Sequence, residues 1–173
     1  ALLLAGCIAG LGVTHYAAAE DLIDPAAREA MLKRRDGQID HVETPYNDIF
    51  VSKEGDELSM AFQLKGWDFT QSMINLKDPD ALPITVAQQM TLAVTYPDEL
   101  KRILMIGLGG GTISTYIGRH IPDVSIDTVE IDPGVITAAK KYFGIKESER
   151  VRYRDGDGRV FLNRNKQPYD LIL

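Results

Sequence analysis

The sequence contains a single cysteine, Cys7, in 173 residues, so no disulfide can form within the chain. Cross-links therefore give no argument about the cellular compartment. Basic residues are in deficit as well, because 19 lysines and arginines face 25 aspartates and glutamates, for a formal net charge of −6. This balance argues against nucleic acid as a partner, since binding phosphates requires a basic face. It is compatible with a cationic substrate but does not identify one.

The chain also lacks internal repeats and low-complexity segments, and its hydrophobic content of 45% is enough for a proper core. We expect one domain with a small appendage. Both ends resemble cuts, because Ala1 lies inside an apolar run and residues 169–173 have the pattern of a strand that stops midway. The sequence is therefore interpreted as a fragment of a longer protein.

The apolar, uncharged residues 1–13 are too few for a confident membrane span. They precede Ala17-Ala18-Ala19, a combination typical of a secretory signal and its small-residue cleavage site. Leu4-Ala5-Gly6-Cys7 also resembles a bacterial lipoprotein processing site. For residues 1–19 a lipoprotein segment, a cleaved signal and a membrane anchor thus remain open. Each predicts a membrane-associated or exported protein, with the side of the membrane undecided.

Residues 20–42 are predicted to form a helical linker, which begins at Asp24-Pro25 and stops at Gly37. A small N-terminal β-domain follows over residues 43–76. Residues 48–53 and 57–64 alternate apolar and polar side chains around a turn, which predicts a hairpin that continues as a strand or loop over 66–71.

A helix is predicted over residues 84–96, which carry no charged side chain. We expect it to be mostly buried and to pack the hairpin against the sheet that follows.

The remaining chain is dominated by a glycine-rich turn. Ile103-Leu104-Met105-Ile106 is a short apolar run typical of a strand buried on both faces of a parallel sheet. Gly107, Gly109, Gly110 and Gly111 follow, and apolar residues at helical spacing come after them. Strand, glycine turn and helix are the first unit of a nucleotide-binding βαβ fold, although such a turn also serves plain strand–helix packing.

Two acidic residues follow at the ends of later strands. Residues 125–130 are predicted to form a strand with Glu130 at its carboxyl end, where an acid can accept the hydroxyls of a ribose. Residues 151–155 form the next strand and lead to Asp157, which could accept a hydrogen bond from an adenine amino group. The alternatives are a solvated acid at 130 and a turn-forming aspartate at 157. A fourth strand is predicted over residues 169–173.

Taken in order, these motifs resemble the spermidine synthase (polyamine aminopropyltransferase) family from about Glu43 to the end of the chain. The similarity is carried by the segments Glu43-Thr44-Pro45-Tyr46-Asn47, Gly107-Leu108-Gly109-Gly110-Gly111, Val129-Glu130-Ile131-Asp132, Gly156-Asp157-Gly158 with Phe161-Leu162, and Tyr169-Asp170-Leu171-Ile172.

The resemblance implies an α/β fold in which a Rossmann-like sheet of the class I methyltransferase type, over residues 77–173, follows the β-hairpin domain. It implies transfer of an aminopropyl group from decarboxylated S-adenosylmethionine, a co-substrate, to putrescine or a related amine. No metal and no tightly bound cofactor are expected, and a homo-oligomer is possible. The catalytic aspartate would fall just after Leu173. The implied cofactor-binding residues are Gly107, Gly109, Gly110, Gly111, Glu130, Asp132 and Asp157, and the implied substrate residues are Asn47 and Gln71.

The sequence also departs from the family pattern. Gly110 stands where the family carries an aspartate that helps to hold the cationic aminopropyl end, and Ala87-Gln88-Gln89 replaces an acidic helix start. A methyltransferase would tolerate a neutral loop, because S-adenosylmethionine brings its own carboxylate. Two alternatives therefore remain, an S-adenosylmethionine-dependent methyltransferase and a non-catalytic, membrane-tethered protein that binds an adenosyl ligand.

Overall fold

A computed structural model describes residues 21–64 and 67–173. The predicted signal, lipoprotein or anchor segment at 1–19 lies outside the described residues. Five α-helices are described: α1 Pro25–Leu32, α2 Thr85–Leu92, α3 Thr112–His120, α4 Pro133–Ala138 and α5 Gly158–Arg164. The strands described are β1 Gly37–Glu43, β2 Asp48–Glu54, β3 Glu57–Leu64, β4 Trp67–Asn75, β5 Arg102–Ile106, β6 Ser125–Glu130, β7 Val151–Asp155 and β8 Leu171–Ile172.

The first four strands form an antiparallel sheet in the order β1-β2-β3-β4. The predicted hairpin is its centre, where Val51 of β2 lies opposite Met60 of β3 and both side chains are buried. Strand β1 lies mostly within the predicted linker of residues 20–42, so that stretch contains a strand after its helix. This strand escapes sequence reasoning because it is a polar, mostly exposed edge with a bulge between Gln38 and Asp40, so its apolar residues do not alternate.

The other four strands form a parallel sheet in the order β7-β6-β5-β8. The α/β fold with a parallel sheet is therefore confirmed. The strand order reverses beside β5, since β6 lies on one side of it and β8 on the other. In open parallel sheets such a reversal opens a crevice at the carboxyl ends of the strands, and here the glycine turn leaves β5 at this edge.

Helix α2 is shorter and more exposed than predicted. It ends at Leu92, continues as a 3-10 turn over Ala93–Thr95, and has Ala87 as its one buried residue. Leu92 and Tyr96 are 64% and 84% exposed. The prediction of a mostly buried helix is wrong because the absence of charge does not imply an apolar face. Threonine and glutamine make up half of this helix, and both tolerate solvent.

One continuous core supports both sheets. It includes Ile49 and Met60 from the antiparallel sheet and Ile103, Ile126 and Phe143 from the parallel sheet and its helices. The two sheets therefore share their apolar interior.

Within residues 21–64 and 67–173, no helix has the length and apolar character needed to cross a membrane. This finding corrects the predicted membrane-associated or exported localisation.

Candidate functional site

The glycine loop joins the end of β5 to the start of α3. Gly107, Gly109 and Gly111 have φ values of 97°, 57° and 73°, a backbone region that side chains with a Cβ rarely adopt. Gly111 is the N-cap of α3. The loop therefore brings main chain to the reversal point of the sheet and aims the positive end of a helix dipole there, an arrangement suited to polar or anionic ligand groups.

Glu130 lies at the carboxyl end of β6 and is only 8% exposed. One carboxylate oxygen accepts the Leu108 N–H of the glycine loop at 2.8 Å, and the other accepts the Asp132 N–H at 3.0 Å. The interpretation as a freely solvated strand-end acid is therefore wrong. Each oxygen retains a lone pair, so the carboxylate can still accept hydrogen bonds from a ligand.

Asp157 follows β7 at the same edge and caps α5. Its Oδ1 accepts the N–H groups of Arg159 at 2.8 Å and Val160 at 3.0 Å. The Val160 N–H, and after it that of Arg159, holds the pKa of this exposed carboxyl below its usual range. The turn-forming role considered from sequence is thus present, and it orients the carboxylate at the edge of the cleft.

A cleft of about 510 Å³ runs along the ends of β5, β6 and β7, with Glu130 and Asp157 both in its wall. Ile106, Ile131 and Leu162 supply its apolar surface and are 51%, 44% and 37% exposed. Sequence reasoning missed these three residues. The signal available was their position, since each lies within five residues of a predicted contact residue. Apolar walls between two carboxylates suit a flat ring joined to a polyol.

Asp132 is fully buried and joins the two sheets. Its carboxylate caps α4 through the Gly134 N–H at 2.8 Å, and it accepts Thr44 Oγ1 at 2.7 Å and Asn47 Nδ2 at 2.8 Å. The structure therefore gives Asp132 and Asn47 a joint structural role. Their predicted ligand contacts stay predictions.

Residues 87–173 match the family model of the spermine/spermidine synthase domain. The chain belongs to this family. It is similar to the polyamine aminopropyltransferase of Vibrio vulnificus, with 35% identity over 133 residues that cover 74% of this chain and 44% of the relative. The chain thus spans about half the length of the curated relatives it matches.

Two further similarities concern the fold and a shorter stretch of the sequence. The spermidine synthase of Thermotoga maritima has a similar fold, with a TM-score of 0.60 and 21% identity over 78% of this chain and 46% of that one. A shorter stretch of 81 residues is 35% identical to the eEF1A lysine and N-terminal methyltransferase of Xenopus laevis, covering 44% of this chain and 12% of the relative.

The residues that the family resemblance implied for the substrate, Asn47 and Gln71, line a second cleft of about 540 Å³ on the antiparallel sheet. Tyr46 and Phe69 contribute aromatic surface, and each is at least half exposed. The structure brings the two predicted substrate residues together at this cleft. The catalytic aspartate expected just after Leu173 stays a prediction.

His41, Glu43 and Asp48 form a group that sequence reasoning missed. Each offers one ligand atom, and these atoms lie within 4.8 Å of one another. Glu43 and Asp48 are cross-strand partners, and His41 stacks on Phe50 and hydrogen-bonds Asp48. The hydrogen bond between His41 and Asp48 and the pairing of Glu43 with Asp48 are enough to bring the three side chains together without a metal ion.

Proposed function

We propose that the whole protein transfers an aminopropyl group from decarboxylated S-adenosylmethionine to putrescine or a related amine. The observation that carries the proposal is Glu130, a nearly buried carboxylate fixed between the glycine loop and Asp132. Membership of the spermine/spermidine synthase family supports the reaction class.

In this proposal Glu130 accepts hydrogen bonds from the ribose hydroxyls and Asp157 reads the adenine amino group. Both N–H groups that Asp157 accepts are bonded to Oδ1, which leaves Oδ2 for the ligand. Ile106 and Ile131 would flank the base. The carbonyl oxygens of the glycine loop, rather than its N–H groups, would face the sulfonium side chain, because that side chain is cationic.

The chemistry is a displacement at carbon. The neutral amine nitrogen attacks the carbon next to the sulfonium, a C–N bond forms, the C–S bond breaks and methylthioadenosine leaves. The attacking nitrogen loses a proton to a base, which by resemblance would follow Leu173. Glu43 and Asp48, in the wall of the second cleft with Gln71, supply negative charge that suits a cationic amine.

The first test is calorimetric titration of the full-length protein with methylthioadenosine and with decarboxylated S-adenosylmethionine. Glu130→Ala should weaken both by at least about tenfold, because it removes a charged acceptor from a nearly buried site. Glu99→Ala is the matched control, since Glu99 is highly exposed and pairs only with nearby Lys101 in the described chain. Unchanged binding by Glu130→Ala would refute the assignment.

Turnover then tests the reaction. Incubation with decarboxylated S-adenosylmethionine and putrescine should release methylthioadenosine and yield a longer polyamine. Ligand binding with no product under these or methyl-transfer conditions would instead identify a binding protein.

We propose methyl transfer from S-adenosylmethionine as the second candidate. It is favoured by Gly110, which gives the loop no carboxylate, and by the similarity to a methyltransferase over 81 residues. Formation of S-adenosylhomocysteine in the presence of an amine acceptor would select this candidate over the first.

We also propose that the protein forms a homo-oligomer, as the family resemblance implied. Support comes from the exposed apolar side chains of Leu92 and Tyr96 at the end of α2, because surface of this kind often lies in interfaces. Sedimentation of the full-length protein should show a species larger than a monomer. Replacement of both residues by serine should reduce that species.

A further inference from the structure

A short chain of hydrogen bonds joins the two clefts. Thr44 lies in the wall of the second cleft, on the antiparallel sheet, and Glu130 lies in the wall of the cleft at the ends of β5, β6 and β7, the parallel-sheet cleft. Asp132 connects the two residues. Its side chain accepts the Thr44 hydroxyl at 2.7 Å, and its backbone N–H donates to Glu130 Oε1 at 3.0 Å. A residue of one cleft is thus two hydrogen bonds away from the carboxylate of the other.

Thr44 also organises the loop that carries it. Its hydroxyl oxygen accepts the N–H groups of Tyr46 at 3.1 Å and Asn47 at 2.8 Å. The Asn47 side chain donates to the same carboxylate oxygen of Asp132 at 2.8 Å. Tyr46 and Asn47 line the second cleft beside Thr44. A ligand in the second cleft would therefore lie against the same loop that holds Asp132.

Close packing at the start of α4 holds this loop in place. A Cβ at Gly134, in the first turn of α4, would lie 2.5 Å from Cγ2 of Thr44 and 3.6 Å from Cδ1 of Ile49. The Gly134 N–H donates to Oδ1 of Asp132, whose side chain is fully buried. Thr44 therefore contacts the start of α4 in two ways, through its methyl group against Gly134 and through its hydroxyl on Asp132.

The consequence for Glu130 follows from its two hydrogen bonds. Its carboxylate is held by the Leu108 N–H on one side and by the Asp132 N–H on the other. Without the Thr44 hydroxyl, the second of these donors loses part of its support. Ile131, which precedes Asp132, lies in the wall of the same cleft as Glu130. Movement of this segment would therefore displace both the carboxylate and part of the apolar wall.

We propose that Thr44 is a positioning residue for Glu130 and that it couples the two clefts. A ligand in the second cleft restricts residues 44–47, so that Thr44 and Asn47 hold Asp132 more firmly and the next ligand meets a carboxylate that is already fixed. Because such coupling is reciprocal, each ligand strengthens the binding of the other. The proposal rests on the proposed function for the identity of the two ligands, an amine and an adenosyl compound. The positioning of Glu130 rests on the hydrogen bonds alone.

Calorimetric titration of the full-length protein with methylthioadenosine tests the positioning role. Thr44→Val keeps a methyl group against Gly134 but loses the hydroxyl, and it should weaken binding by about fivefold, the effect of one hydrogen bond. Thr44→Ser keeps the hydroxyl and should retain the wild-type affinity. The matched control is Thr137→Val, because Thr137 is an exposed residue of α4 whose hydroxyl donates to the Pro133 carbonyl of the same helix at 2.9 Å.

The same titration in the presence of saturating putrescine tests the coupling, which a merely structural residue would not change. Putrescine should raise the affinity for methylthioadenosine by at least about fivefold in the wild type, in Thr44→Ser and in Thr137→Val. In Thr44→Val it should change that affinity by less than about twofold, because the connection between the clefts is broken.

Amide hydrogen exchange, followed by nuclear magnetic resonance, tests the connection without an adenosyl ligand. The N–H groups of Leu108 and Asp132 both donate to Glu130. They should exchange about fivefold faster in Thr44→Val than in Thr137→Val, because the carboxylate that protects them is less firmly held. If Thr44→Val fails to fold, the wild type still provides the test, since putrescine alone should slow the exchange of both N–H groups.

The outcomes separate this proposal from the proposed function. Equal weakening of binding by Thr44→Ser and Thr44→Val, or unchanged exchange in Thr44→Val, would overturn the positioning role. Binding of methylthioadenosine that putrescine does not strengthen in the wild type, or strengthens equally in Thr44→Val, would overturn the coupling. If the wild type binds neither ligand, the proposed function fails and the coupling with it, while faster exchange in Thr44→Val would still establish that Thr44 positions Glu130.

Discussion

The fully buried carboxylate of Asp132 accepts three hydrogen bonds, from the Gly134 N–H, the Thr44 hydroxyl and the Asn47 amide. Asp132→Ala would remove this acceptor from all three donors, and of the three only the Thr44 hydroxyl has another acceptor described, the Asn47 carbonyl at 3.0 Å. We expect it to lower the free energy of unfolding by about 3 kcal/mol, measured by urea denaturation.

The matched control is Asp24→Ala, because Asp24 is also an N-cap followed by proline. Its side chain accepts only the Ala26 N–H, at 3.0 Å, among the contacts described, so its loss should cost about 1 kcal/mol. Equal losses of unfolding free energy in the two variants would mean that the hydrogen bonds of Asp132 to Thr44 and Asn47 contribute nothing to stability.

Tyr169 donates its hydroxyl to Asp127 Oδ2 at 2.9 Å. Burial, and after it this bond to a carboxylate, raises the pKa of Tyr169 to about 12. In the unfolded chain a tyrosine phenol has a pKa near 10. The stabilisation that the protonated Tyr169 phenol gives the folded protein is therefore complete below about pH 10 and is lost as the pH rises towards 12.

Urea denaturation between about pH 9 and pH 11.5 should therefore show a steeper loss of stability for the wild type than for Tyr169→Phe, which has no phenol to ionise. Parallel pH profiles would show that the phenol titrates alike in the folded and unfolded chains.

At the scale of elements, Asp157 both caps α5 and lies in the wall of the cleft. Asp157→Ala should remove the helix cap and lower the melting temperature by about 3 °C. Asp157→Ser keeps a capping oxygen, so its melting temperature should stay near the wild-type value. If Asp157 also reads adenine, both variants should lose affinity for methylthioadenosine in calorimetry. Full affinity in Asp157→Ser would limit the residue to capping.

Sequence alone predicted some elements well and missed others. Ser125–Glu130 and Val151–Asp155 are strands with the predicted bounds, and each is followed by a proline or glycine that marks the break after it. Strand β1 gives no apolar alternation, since both of its faces are largely polar. The exposure of α2 also escaped prediction, because uncharged composition does not distinguish a buried helix from a polar one.

The candidate site, like the fold, was predictable only in part. Glu130 and Asp157 lie at one edge because strand ends in a parallel sheet share an edge, which follows from chain order alone. The exposure of Ile106 in the wall of the cleft could not be predicted, since the apolar run that contains it is typical of a strand buried on both faces.

At the scale of the whole molecule, the shared core predicts cooperative unfolding. Trp67, the one tryptophan of the sequence, belongs to the antiparallel sheet, whereas most helical residues described accompany the parallel sheet. Tryptophan fluorescence and far-ultraviolet circular dichroism should therefore give the same urea midpoint. A fluorescence midpoint at lower urea would show that the antiparallel sheet melts alone.

The two sheets differ in the distance along the chain between paired strands. Every pairing in the antiparallel sheet joins consecutive strands, whereas β5 pairs with β8 across about seventy residues. Asp170 Oδ2 stabilises that pairing by accepting hydrogen bonds from the N–H groups of Lys101 and Arg102, each at 2.8 Å. During synthesis on the ribosome, the antiparallel sheet can therefore be complete while β5, the strand that leads into the glycine loop, still lacks a neighbour on one side.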